Sequence, residues 1–396
     1  MFKTEFLGDT FTLVIRPGGR LIGRACFFVR MRLTLTHFIT KMKYRSLWLL
    51  ILCVGALLLL YTHFYTGGIG FVSAVRKNGT DQYVVYVCDG SFPCGGWADR
   101  QKGIVSAYVL AQLMGRKFRV RITTPCDLST HLAGNLKPWE ITPRELEGLS
   151  VKHVKEIDKN ADSLRKKMSS IDLISNFPED VVYFTSNMEY VEYLIKNPRY
   201  SNQTEWMRKL RVADVYTDTL KKLFKLKPNL VQRLSNFTSR IPREKGVKLA
   251  CAQVRLGKNP TVPTDTEQFN TFESVKAVWD FLKPYNDITK YRIFVTSDSE
   301  DVRKTAKKEF PGTIIDMEGN IVHVERTNGA NVCDGFAKVI LDQLILSTCD
   351  VLVISRSGLA RIAAWYRGRK EDVYCFSKSK VTPCNPYDLK AFIPSW

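Results

Sequence analysis

The sequence predicts an α/β protein made of two successive Rossmann-type units. Short β-rich or wholly apolar runs alternate with helical patterns, as in βαβ architecture. The alternation restarts after a polar, turn-forming break at residues 241–246. Two of the apolar runs lead into Gly- or Ser-rich turns that open helices.

In chain order, residues 83–87 (YVVYV) form a β-rich run that ends at Cys88. The loop DGSFPCGGW leads into ADRQKGIVSAYVLAQLMGRK, where Ile104, Ala107, Tyr108, Ala111 and Met114 recur at helical spacing. Residues 118–122 return to a strand pattern, completing a βαβ unit. Residues 123–180 are polar and irregular, with a charged amphipathic piece at 151–168. Another strand is expected at 181–184, then helical patterns as far as residue 240.

The break divides the body into an N-terminal α/β domain, 83–243, and a C-terminal Rossmann-type domain, 244–396. In the second, strands are expected at 247–254, 291–296, 313–316 and 351–354, and helices at 269–282, 301–309 and 336–347. Val339, Ile340, Leu344 and Ile345 share one helical face, so KVILDQLILS reads as a buried helix. VLVI, at 351–354, suits a strand covered on both faces. Ser355, Arg356, Ser357 and Gly358 follow at once, before a helical pattern resumes at Leu359. Such a junction aims free N–H groups and a helix dipole at an anion. The same serines would also serve as an ordinary N-cap.

Ahead of the body, residues 47–61 (LWLLILCVGALLLLY) carry no charge, and the run continues to about residue 65. Roughly 17–25 apolar residues cross a bilayer. Lys41, Lys43 and Arg45 stand immediately before it, which places the N-terminus in the cytosol. The expectation is a type II protein: cytoplasmic tail 1–46, transmembrane signal anchor 47–65, stem 66–82 and a lumenal body in the Golgi or ER membrane. A cleaved signal peptide is the alternative, but no small-x-small cleavage site follows cleanly.

The net charge is +20, of which residues 1–46 supply +7. A basic lumenal body does not meet nucleic acid; its partners are acidic glycans, the membrane surface or a nucleotide diphosphate. Glycosylation sequons begin at Asn78, Asn202 and Asn236. Eight of the ten cysteines fall in the lumenal part, where disulfides persist. Cys88 with Cys94 and Cys375 with Cys384 are the local candidates; Cys251 and Cys349 read as buried thiols.

Ligands of open α/β sheets bind at the carboxyl ends of strands. Three such ends stand out in the second unit. In the first, Arg255 can fork onto a diphosphate and Gly257 lets backbone approach it. In the second, the carboxylate of Asp298 can accept two N–H bonds from a guanine edge. The third is the turn from Ser355 to Gly358. A surface ion pair for Arg255 and an N-cap for Asp298 are the plainer readings.

These segments also carry a family resemblance. CAQVRLGK resembles the H-x-R-x-G/T-D segment of GDP-fucose-dependent fucosyltransferases, the superfamily of α1,6-, α1,2- and protein O-fucosyltransferases. FVTSDSEDV is similar to the family's second motif, and VILDQLILSTCDVLVISRSGLARIA to its third. CGGWADRQKGIVSAYVLAQLMGRKFRV resembles the Gly-rich loop and helix that open its fold. The match runs in order over most of residues 83–366 and is specific at these four segments. It implies a GT-B-like fold, two facing Rossmann-type domains, and an inverting, metal-independent transfer of fucose from GDP-fucose to a glycan or glycoprotein. It further implies that Arg255 holds the β-phosphate, Gln253 and Asp298 meet the guanine, and Ser355, Arg356, Ser357 and Gly358 cradle the diphosphate. Gly95, Gly96, Asp99 and Arg100 would shape the acceptor side, and Asp265 or Glu267 would take the acceptor proton. Three positions depart from the family: its His is Gln253, its closing acid is Lys258, and the Asn of its first loop is replaced near Gly96 and Trp97.

No D-x-D occurs and the five histidines lack ligand spacing, so neither a metal nor a cofactor beyond the donor is expected. Two alternatives stay open: a non-catalytic lumenal lectin- or chaperone-like relative, and a GT-B transferase that uses another nucleotide sugar.

Overall fold

The computed structural model describes residues 81–388, except 266 and 328, and a separate antiparallel hairpin pairing Lys3–Leu7 with Thr10–Val14. The expected anchor at 47–65, most of the tail and stem, and Asn78 lie outside the described residues. Among the described residues no helix is long and apolar enough to cross a membrane.

The body begins with Tyr83–Cys88 (β1), buried at every position. It sits inside a four-stranded parallel sheet with Lys117–Ile122 (β2), Val151–Lys155 (β3) and Val181–Thr185 (β4), in the order β2-β1-β4-β3. β2 lies on an edge and alternates: Phe118, Val120 and Ile122 point inward while Lys117 and Arg121 are exposed. The charged piece at 151–168 is not one helix. VKHVK forms β3, with only Val154 buried, and a helix follows at Ala161–Lys167. An edge strand tolerates such charge because one side of it faces water. The helix α1, Trp97–Met114, is buried along nearly its whole length.

The second sheet contains Lys248–Val254 (β5), Tyr291–Ser297 (β6), Val351–Ile354 (β7), Val373–Ser377 (β8) and Lys380–Pro383 (β9). Its order is β6-β5-β7-β8-β9, parallel except for β9, which returns as a hairpin on β8. The strand expected at 313–316 shrinks to a parallel bridge between Ile314 and Ile293, outside β6. Asp316 leaves this edge to pair with Arg303 and Lys307, each at 2.8 Å. The bridge still completes a Rossmann order around β5. The helix expected at 269–282 starts only at Lys276, after a 3₁₀ turn at Glu273–Val275, because the preceding residues fold back on the turn after β5 through Phe269 N–H to the Leu256 carbonyl, 2.7 Å.

The halves share one continuous hydrophobic core that runs from β1 to β5 and β7. Four helices form the junction: α1, Val212–Leu223 (α2), Val332–Leu346 (α3) and Gly358–Arg367 (α4). Trp97 meets the Phe336 ring edge-on at 5.4 Å, and Tyr216 meets Trp365 at 5.5 Å. The two units of the sequence reading are therefore fused through their helices.

Four disulfides staple the body. Cys88–Cys94 and Cys375–Cys384 pair locally, as expected. Cys251 and Cys349 are buried as expected, but they are joined in a disulfide, which corrects their reading as thiols. β5 and β7 are neighbouring strands, so residues far apart in sequence meet at one level of the sheet. Cys126–Cys333 closes a separation of 207 residues and ties the two halves together.

Candidate functional site

The carboxyl ends of β5, β6 and β7 open on a single cavity of about 740 Å³. Its opposite wall is the Gly-rich loop, Gly95 and Gly96, with the start of α1. A strand's carboxyl end releases its last residues from the ladder, so their side chains can turn into a cleft.

Arg255 stands at such an end and is fixed through its backbone. Its N–H donates to Ser355 Oγ at 2.8 Å, and its carbonyl accepts from Asn270 Nδ2 at 2.9 Å. The Ser355 hydroxyl donates onward to Gln253 Oε1 at 2.7 Å, tying β5 to β7. The Arg255 guanidinium lies over the Phe269 ring, 5.0 Å from its centroid, and donates from Nη2 to Asp265 Oδ2 at 2.8 Å. Its Nε is buried with no partner. Asp265 is itself buried, and its Oδ1 accepts from Arg326 at 2.5 Å. His323 Nε2 is 4.0 Å from the same oxygen. Burial, with Arg326 next in weight, holds the His323 pKa below its ordinary value. Arg356 lies over Phe269 as well, at 4.9 Å, and 3.6 Å from Glu267.

Asp298 follows β6. Its two oxygens accept the N–H groups of Leu256 at 2.9 Å and Gly257 at 2.8 Å, which pins the turn after β5. Burial raises its pKa, and those N–H bonds work against the rise. Gly257 has φ +83, and a Cβ there would come within 2.0 Å of the Glu267 carbonyl oxygen. The backbone that approaches Gly257 is therefore the chain's own.

Helix α4 begins at this cavity. Ser357 is extended and its side chain makes no capping bond, while Gly358 packs so closely that a Cβ would sit 3.0 Å from that of Ala98. The N-termini of α1 and α4 thus meet at one place, and both point positive ends toward it. Asp99 already caps α1, accepting from Gly96 N–H at 3.1 Å and pairing with Lys102 at 2.8 Å. Beneath, buried Asp342 accepts from Thr296 Oγ1 and from Lys338, each at 2.5 Å, and its other oxygen has no partner.

Of the expected site residues, Gln253, Arg255, Asp265, Glu267, Asp298, Arg356, Ser357, Gly358, Gly95, Gly96 and Asp99 all line this cavity. Three do not. The Ser355 hydroxyl is spent between strands, Gly257 faces Glu267, and buried Arg100 donates to the carbonyls of Gly95, Thr124 and Val324. Each is a fastener of the wall.

The sequence reading missed residues 320–326, which supply His323, Glu325 and Arg326 to the cavity. Glu325 Oε1 accepts N–H bonds from Cys94 at 2.5 Å and Gly95 at 2.8 Å. The signal was present: DMEGNIVHVERTNGAN is a long stretch without helix or strand, and connections beyond about 12–15 residues in a compact body are commonly functional. Cys126, His131 and Cys333 also cluster, with His131 Nε2 3.4 Å from both sulfurs, but a disulfide leaves no thiolate to bind a metal.

No protein-family model matches the chain, and no curated protein matches it in sequence. Among solved structures, the chain is similar to a mutant of Arabidopsis thaliana FUT1 in complex with GDP. That match has a TM-score of 0.54 and 13% identity, and covers 76% of this chain and 71% of the other. It is similar also to NodZ α1,6-fucosyltransferase soaked with GDP-fucose, with a TM-score of 0.50 and 12% identity over 77% of this chain and 99% of that one. What the three share is a GT-B-like α/β fold, so the resemblance first seen in four motifs extends over the described body as a likeness of fold.

Proposed function

We propose that the chain is a glycosyltransferase that moves fucose from GDP-fucose to a glycan or glycoprotein, with inversion and without a metal. One observation carries this reading: Arg255 and the α4 N-terminus face one cavity, in a fold that two solved structures present with GDP or GDP-fucose. The diphosphate would lie between Arg255, Arg356 and the first amides of α4. Gln253, whose oxygen is taken by Ser355, would offer its amide N–H groups to the base. Asp298 acts through the turn it pins rather than by its own contact.

The acceptor oxygen attacks C1 of the β-linked donor, the C1–O bond to phosphate breaks, and the bonding pair leaves with GDP. Charge grows on the leaving phosphate, where a preorganised Arg contributes about 100- to 1,000-fold in rate. The N-terminal segment 47–65 would anchor the body in the lumen of the Golgi or ER. Four disulfides and the exposure of Asn202 and Asn236 support that placement.

The test is the melting temperature of the full chain in detergent with GDP-fucose, GDP-mannose, UDP-GlcNAc or CMP-sialate. GDP-fucose should raise it, because a ligand at about 100 times its Kd stabilises by about 2.7 kcal/mol. GDP release from GDP-fucose should then persist in EDTA. Stabilisation by a different nucleotide sugar alone would redirect the donor assignment. Stabilisation without turnover would favour the non-catalytic reading, for which the Asp265 hold on Arg255 is the structural support.

A further inference from the structure

We infer that Glu325 is the base that removes the acceptor's proton, an assignment that rests on the transferase reading above. The cavity holds several carboxylates, and nearly all are committed. Asp265 carries a guanidinium on each oxygen, and Asp298 a backbone amide on each. Asp342 lies buried beneath Lys338 and Thr296, and Asp99 caps its own helix. Glu267 has a side chain 58% exposed beside Arg356, and Asp158 is exposed and tied to Asn187.

Glu325 is arranged differently. Two amides of the Gly-rich loop converge on its Oε1 and fix the side chain, while among the described residues no hydrogen bond or ion pair holds its Oε2. A base needs this combination: one oxygen held in place and the other open to a proton. The next residue, Arg326, donates to Asp265, which accepts from Arg255. One step along the backbone therefore links the open carboxylate to the guanidinium placed for the leaving phosphate. The nearby disulfide of Cys333 fastens the far end of this segment to the N-terminal half.

In the reaction, the acceptor O–H bond breaks as its oxygen bonds to C1. The proton passes to Glu325 Oε2, giving a neutral acid, while the C1–phosphate bonding pair leaves with GDP. With water as acceptor the same transfer yields free fucose.

Glu325→Gln tests the assignment in the full chain, with GDP release from GDP-fucose followed in water and with a panel of glycans. The carbonyl oxygen of Gln still accepts both loop amides, but it takes up no proton. The expected result is a fall in kcat of about 100- to 10,000-fold, the range for a general base. The KM for GDP-fucose and the melting-temperature rise with GDP should stay at wild-type values. Glu325→Asp, which retains a displaced carboxylate, should fall between the two. A Gln variant at the wild-type rate overturns the inference. So does one that loses stabilisation by GDP together with its rate, since Glu325 would then be a plug for the loop. A wild type that binds GDP without turnover overturns it too and leaves the non-catalytic reading. A wild type that no GDP compound stabilises refutes the transferase reading itself.

Discussion

Gln101 on α1 and Gln343 on α3 exchange a pair of hydrogen bonds, Nε2 to Oε1 in each direction, both at 2.9 Å. The Trp97 indole donates to the same Gln343 oxygen at 3.0 Å, and both glutamines are buried. This small polar seam lies inside an otherwise apolar junction. It fixes how the helices of the two halves register against each other, and with them the two walls of the cavity.

Gln343→Ala should accordingly destabilise the fold out of proportion to its size. It orphans the Gln101 amide and the Trp97 N–H, and each buried unsatisfied group costs about 1–3 kcal/mol. Guanidinium unfolding should show a loss of about 2–6 kcal/mol. A change under about 0.5 kcal/mol, the usual size for a surface substitution, would mean that water enters the seam.

Arg255→Lys should be nearly as inactive as Arg255→Ala, with both folded. Lys keeps a charge beside Asp265 but loses the planar fork and much of its packing on Phe269. A rate loss of about 100- to 1,000-fold is expected for each. Arg326 still holds Asp265, so thermal unfolding should change little. Poor folding of the Ala variant beside a fully normal Lys variant would make Arg255 a structural ion pair.

Glu189 gives the fold a pH dependence of defined sign. Burial pushes its carboxyl up to about 7, and Arg165, 3.9 Å away, does not offset that. The unfolded chain releases this proton near the ordinary value of 4.5, earlier than the folded one does. Stability from this group is therefore whole below about pH 4.5, declines as pH rises, and is lost above about pH 7. Glu189→Gln should flatten the stability profile across that window and unfold later than the wild type at pH 8. An unchanged slope would refute the assignment.

Topology has its own measurement. Asn202 and Asn236 are exposed on helices, accessible to modification. Endoglycosidase should increase the gel mobility of the full chain from a secretory cell, and Asn202→Gln with Asn236→Gln should reduce that shift. No shift, with the body open to protease from the cytosolic side, would reverse the type II assignment.

Much of this was legible because local pattern and final environment agree. VLVI is a strand buried on both faces, and the helix read from Ile104 to Met114 is the one that fills the junction. The pairing of Cys88 with Cys94 needed only short range. What escaped depends on contacts between distant segments. Cys251 and Cys349 meet because two strands became neighbours, which no spacing announces. Ser355 looked like a ligand donor, yet the end of β5 lies beside it and consumes its hydroxyl. Glu325 sits in an aperiodic stretch, and its partners are backbone amides some 230 residues earlier, which leave no side-chain signature.

The Cys126–Cys333 bond also sets a timetable. At roughly 5–20 residues per second, the 207 residues between these cysteines take about 10–40 s to be synthesised. Throughout that interval Cys126 is a thiol without its mate, beside Cys88 and Cys94, which can pair as soon as they emerge. A chain cut short before residue 333 would keep Cys126 as an unpaired thiol, open to a thiol-reactive label. The finished protein thus carries, in one covalent bond, a record that nearly all of it had been made.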